Sequence, residues 1–240
     1  NELLARLSAH MKLKKMQDEV KEKNMLLADR ELHLLSLVEE KTRKLEKATS
    51  VLVAALENAN FYRDTDTGNH IKRVSEYSAL LADKYGADSD FVRRIKLYSS
   101  LHDIGKVGIS DTLLKKPGRF TEEEFATMQE HVLIGRKMLD DPEIDEMAKN
   151  ITLYHHEKWD GTGYANKLQG EDIPLEARIV ALADVYDALG HKRVYKEAFP
   201  EEKVDGIIRE SADTHFEPKL VDIYFENKPH ILRIREIFPD

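Results

Sequence analysis

Cysteine is absent from all 240 residues. That excludes disulfides, thiolate zinc sites and cysteine-held iron–sulfur clusters, and leaves imidazole and carboxylate as the available metal ligands, a set that favours iron, manganese or zinc. No run of eighteen apolar residues occurs and no leader pattern opens the chain, so neither a membrane span nor export is indicated and the sequence reads as cytoplasmic. Basic excess is missing too. The net charge is −8, which repels a polyanion overall, so DNA is not expected as a partner and any phosphate-bearing ligand needs a local basic pocket. Strand-like alternation is nearly absent, which argues for an all-α protein. With 41% hydrophobic content the chain can build one cored domain and an appendage.

Neither glycine nor proline occurs from Leu3 to Leu56, charge is dense, and apolar residues recur at three- and four-residue spacing. This predicts a long helix. Val20, Leu27, Leu34, Val38, Leu45 and Leu52 follow a broken heptad with Asn24, Glu31 and Lys41 at intervening seam positions, the pattern of a weak parallel homodimeric coiled coil. An amphipathic helix folded back on its own domain is the alternative. The opening ELLARLSAHMKLKKMQDE resembles the last helix of a response-regulator receiver domain running into its linker. It implies that the chain is the output end of a longer signalling protein. The expected division is a helical linker, 1–58, followed by one globular domain, 59–240.

Beyond Asn60 the pattern changes to shorter helices, and about seven are expected in an all-α bundle. Pro142, Pro174, Pro200 and Pro218 stand just ahead of apolar-periodic stretches, where proline costs no helical hydrogen bond. Thr121 with Glu124 is a capping-box signature for a helix through Leu139. One long polar loop, from about Glu157 to Ile173, carries Gly161, Gly163 and Gly170, and loops of that length are commonly functional.

Ten histidines occur, and five fall into an order with three aspartates: Asp66, His70, then His102–Asp103, His131, His155–His156, and Asp184. A lone histidine on a helix is most often a bystander; this many in or beside predicted helices can converge on one interior volume. Adjacent ligands on a helix diverge by about 100°, too far for one ion, so His102–Asp103 and His155–His156 are each expected to serve two neighbouring ions, with Asp103 as the bridging carboxylate. Lys106, four residues after His102, would share its helical face and reach a phosphate oxygen.

HDIGKVGI at 102–109, HHEKWDGTGYANKL at 155–168, IPLEARIVALADVYDAL at 173–189 and KRVYK at 192–196 resemble the HD-GYP family of cyclic di-GMP phosphodiesterases, from about Arg63 to Glu226. The resemblance implies a metal-dependent hydrolase that opens cyclic di-GMP to linear pGpG, and to GMP if it cuts twice. It implies His70, His102, Asp103, His131, His155, His156 and Asp184 as ligands of two or three divalent ions, iron or manganese favoured, with zinc, nickel or magnesium as alternatives. Tyr164, Arg178, Arg193 and Lys196 match positions that face substrate, with Asp103 and Lys106 as catalytic groups. An arginine in a packed helix can equally pair with a nearby carboxylate, which is the bland reading of Arg178.

Two departures stand out. DTGNH at 66–70 replaces the ETGxH that some members use for a third metal, so Asp66 is read as a ligand with a shorter reach, or as a helix cap. Gly163–Tyr164–Ala165 replaces Gly–Tyr–Pro, which puts a diguanylate cyclase contact through that loop in doubt more than hydrolysis. Of the other histidines, His10 and His33 read as linker surface and His215 as a packing residue, while Trp159 reads as a loop anchor. A non-catalytic nucleotide sensor and an HD phosphohydrolase for another nucleotide are the rival functions. The first is opposed by the complete ligand set, the second by the long 155–168 loop.

Overall fold

The computed structural model describes residues 2–61, 68–191 and 198–239. Among them the structure is all-α, with no strand and a lone bridge between Ala212 and Phe216. The chain divides into two compact units, Asn1–Val51 and Leu52–Asp240. Among its described residues the first unit is helical, part of α1, Glu2–Phe61, as the unbroken absence of glycine and proline predicts. Its seam residues Val20, Leu27, Leu34, Val38 and Leu45 are exposed. No helix among the described residues is long and apolar enough to cross a membrane.

The second unit carries nine further α-helices among the described residues: α2 (Gly68–Tyr85), α3 (Ser89–Tyr98), α4 (Asp111–Leu114), α5 (Glu122–Met138), α6 (Glu146–Tyr154), α7 (Leu175–Gly190), α8 (Glu201–Glu210), α9 (Pro218–Glu226) and α10 (Lys228–Ile237). The excess over the expected seven comes from the one-turn α4 and from a break at Asn227, whose side chain bonds back to the Ile223 carbonyl and separates α9 from α10. Helix starts follow local chemistry. Asp88 and Asp145 cap α3 and α6, and Thr121 with Glu124 forms the expected capping box on α5. Pro174 and Pro200 sit at the entrances of α7 and α8, and Pro218 is in the first turn of α9.

The core runs through α2, α6, α7, α8 and α9, with Tyr77, Leu81, Ile151, Ile179, Leu182 and Leu220 at its centre. Each such aliphatic side chain contributes about 1.5–3 kcal/mol by leaving water. The same periodicity places the chemistry. On α2 the buried positions His70, Val74, Tyr77 and Leu81 are spaced 4-3-4, so the stripe that anchors the helix ends in an imidazole. On α7 the corresponding stripe is Ala177, Val180, Asp184 and Asp187. α2 packs on α7, which brings the two polar ends together.

Candidate metal centre

Four of the imidazoles, His70, His102, His131 and His155, are fixed by what Nδ1 meets. His102, between the 3-10 turns Ser99–Leu101 and Ile104–Gly108, has Nδ1 2.8 Å from the Ser99 carbonyl. His131 on α5 has Nδ1 2.7 Å from the Met128 carbonyl, and His155 at the end of α6 has Nδ1 3.0 Å from the Ile151 carbonyl. A carbonyl only accepts, so Nδ1 carries the proton in all three and Nε2 presents a lone pair. For His70 the partner is a carboxylate, with Nδ1 2.7 Å from Asp187 Oδ2. Burial lowers His131 to about 4 and holds His156 well below the ordinary imidazole value.

The presented atoms converge in two groups. Asp103, His131, His155 and His156 form one, and His70, His102 and Asp184 the other, with the ligand atoms of each group within 4.8 Å of one another. Asp103 faces both. Its Oδ1 lies 3.3 Å from His131 Nε2 and 3.7 Å from His155 Nε2, while Oδ2 lies 3.3 Å from His102 Nε2. Asp184 Oδ1 lies 3.6 Å from His70 Nε2 and 3.9 Å from His102 Nε2. The residues fit divalent ions by a direct test: the buried Nε2 atoms of His131 and His155 accept no hydrogen bond, a cost that a cation at that point removes.

His155 and His156, expected to serve two neighbouring ions, fall in the same group, with ring centroids 4.0 Å apart. The 100° divergence holds only within a helix, and His155 is the residue at which α6 ends, so the chain turns and lays the second ring beside the first. Lys106 lies on the 3-10 turn and its Nζ is 2.8 Å from Asp103 Oδ2. Burial alone would raise the Asp103 carboxyl, but Lys106 and His102 hold it well below the usual range, so it stays ionised.

The glycine-containing loop covers one side. Trp159 N donates to the His215 carbonyl and Asp160 N to that of Thr214, and Glu157, buried, accepts from the Asn166 N–H at 2.6 Å. Gly163 is required by close approach, since a Cβ there would lie 2.4 Å from Lys158 N. Tyr164 stacks on His156 at 4.8 Å, and its peptide bond to Ala165 is cis. Burial raises its hydroxyl, so the phenol stays protonated and able to donate. Trp159 is a half-buried anchor and His215 stacks on Phe216, while Arg178 pairs with Glu217 at 2.5 Å beside Trp159. That is the structural alternative for this arginine. Asp66, Arg193 and Lys196 lie outside the described residues.

Sequence reasoning missed Arg73 and Asp187, both 1% exposed. Asp187 accepts from Arg73 Nε at 2.7 Å and Nη2 at 3.0 Å in addition to His70. Burial by itself raises Asp187, yet the bonds from His70 and Arg73 bring it down to about 2. The signal was the i, i+3 spacing in His70–Arg73 and Asp184–Asp187, which puts each ligand and its neighbour on one face.

Fold and site together define a class: an all-α protein holding two adjoining imidazole–carboxylate groups suited to divalent metal. The chain belongs to the HD-domain family, whose model matches residues 23–220. It is 43% identical over 198 residues to the 3'3'-cGAMP-specific phosphodiesterase 2 of Vibrio cholerae serotype O1, covering 82% of this chain and 38% of that protein. It is 37% identical to the cyclic di-GMP phosphodiesterase response regulator RpfG of Xanthomonas campestris pv. campestris, covering 97% of this chain and 60% of that protein. The chain therefore spans less than two thirds of the length of either of these curated relatives. Among solved structures it shares its fold with Bd1817, an HDG"Y"P protein of Bdellovibrio bacteriovorus, at TM-score 0.56 and 21% identity, over 74% of this chain and 60% of that one. The HD domain of the L. monocytogenes phosphodiesterase PgpH in complex with cyclic-di-AMP matches at TM-score 0.51 and 20% identity, over 78% of this chain and 98% of that one.

Proposed function

We propose that residues 59–240 are a metal-dependent phosphodiesterase that hydrolyses cyclic di-GMP to linear pGpG, acting in the cytoplasm as the output of a signalling protein. The observation that carries this reading is Asp103, whose two oxygens face different imidazole groups, the arrangement of a carboxylate shared by two ions. Relatives named as cyclic di-GMP and 3'3'-cGAMP phosphodiesterases support the substrate class. Two divalent ions, iron or manganese, would supply the Lewis acidity and positive charge that an in-line phosphoryl displacement requires.

In the reaction, water forms a bond to phosphorus, the P–O3' bond breaks, and the leaving 3'-oxygen takes up a proton. His70, His102 and Asp184 would hold one ion; His131, His155 and His156 would hold the other, with Asp103 between. Lys106 keeps Asp103 ionised and adds positive charge where the phosphate enters. Tyr164, a neutral phenol stacked on His156, offers a donor along the substrate wall. Arg193 and Lys196 are the further cations expected to face substrate, and Asp66 is the candidate ligand for a third ion. Asp66→Ala should then lower metal stoichiometry and rate together, whereas a helix cap would cost only about 1 kcal/mol of stability. The exposed seam of α1 is read as the interface of a parallel homodimer. Gly163–Tyr164–Ala165 is the candidate contact for a diguanylate cyclase.

Incubating the manganese-loaded protein separately with cyclic di-GMP and 3'3'-cGAMP, and separating products by chromatography, tests the reading. Appearance of pGpG is expected. Intact cyclic di-GMP beside hydrolysed 3'3'-cGAMP would reassign the substrate, and two intact dinucleotides would favour a sensor.

A further inference from the structure

Asp187 and Arg73 touch neither ligand group's centre, yet they are among the most deeply buried charges in the protein. The His70 ring is gripped from both sides by α7: Asp187 Oδ2 is 2.7 Å from Nδ1, and Asp184 Oδ1 is 3.6 Å from Nε2. Arg73, one turn further along α2, closes a two-pronged bond on Asp187 and donates its Nη1 to the Phe238 carbonyl at 2.9 Å. His191 Nδ1 lies 3.1 Å from the Asp187 carbonyl and 3.3 Å from its Oδ1. The carboxylate is thus held in one orientation by two side chains of α2, His70 and Arg73, with His191 beside it, and the guanidinium offsets its buried charge.

The contrast with the other rings matters. His102, His131 and His155 are each backed by a backbone carbonyl, whereas His70 is backed by a carboxylate. A carboxylate behind an imidazole raises the electron density at the opposite nitrogen and fixes its aim. Resting on the two-ion reading above, we infer that Asp187, clamped by Arg73, is a positioning residue that makes the His70–His102–Asp184 position the selectively strengthened member of an unequal pair of metal sites.

Titration of the metal-free protein with Mn²⁺, followed by calorimetry and by electron paramagnetic resonance, tests this without reference to catalysis. Wild type should show two binding events and the spectrum of a coupled pair. In Asp187→Asn one event should weaken by about 10- to 100-fold while the other is unchanged, and an isolated-ion spectrum should replace the coupled one. Because Asp187→Asn leaves Arg73 buried beside a neutral group, the double variant Arg73→Gln/Asp187→Asn removes both charges and should show the same selective loss. Folded variants with both events at wild-type strength, or with both weakened equally, overturn the inference. A readout that needs no variant is the His70 Nδ1 proton, which should resonate at low field as a carboxylate-bound imidazole proton; its absence there also counts against the assignment. Wild type that takes up no Mn²⁺ contradicts the metal centre itself, a different failure from two intact sites in the variants.

Discussion

At the scale of single residues, Asp103 is the position on which both ligand groups depend. Asp103→Ala, alone or with His102→Ala, should abolish hydrolysis and lower the metal content of purified protein, because each of its oxygens faces a separate group. Near-normal turnover in the double variant would remove the two-ion assignment. His215 makes a different prediction. Burial first, and then Lys158, lower its imidazole to about 4, below the ordinary value near 6.5. The unfolded chain therefore binds the proton more readily between those values, and stability contributed by the neutral ring is present above about 6.5 and lost as pH falls toward 4. Melting temperatures of metal-free protein should decline over that interval, and His215→Gln should flatten the decline. The residues that gather into the two imidazole–carboxylate groups were legible from their order and from the family motifs. Arg73 and Asp187 were not, because arginine and aspartate three residues from a ligand are common on helices, and only the packing of α2 on α7 brings them into one bond.

At the scale of elements, the 3-10 turn Ile104–Gly108 and α5 meet backbone to backbone. A Cβ on Gly105 would sit 1.9 Å from the His131 carbonyl oxygen and 2.5 Å from Gly135 N. Gly105→Ala should therefore push α5 away, costing about 1–3 kcal/mol by overpacking and moving His131 out of its group. A lower melting temperature together with reduced metal content is the expected result, and an unchanged pair of values would contradict the tight contact. For α1, Leu27→Glu with Leu34→Glu should dissociate the proposed dimer by burying like charges in the seam. Light scattering at micromolar concentration reads the outcome directly, and an unchanged mass would favour a helix that does not pair through this face. Helix periodicity announced α1, α2, α5 and α7. It could not announce the turn after α6 that lays His156 beside His155, since that depends on where the helix stops, nor the break at Asn227.

At the scale of the whole molecule, the fold class was legible because apolar residues recur at helical spacing throughout and alternation is scarce. What the fold adds is convergence: five segments distant in sequence, near residues 70, 102, 131, 155 and 184, deliver seven candidate ligands to two adjoining groups. The central claim is that both groups must be filled for phosphodiester hydrolysis. Its most direct test is to strip the protein of metal anaerobically, return Mn²⁺ in fractions of an equivalent, and measure bound metal and cyclic di-GMP cleavage in the same samples. The rate should stay low through the first equivalent and rise with the second, with pGpG as product. Full activity at one ion per chain, or in the stripped protein, would contradict it.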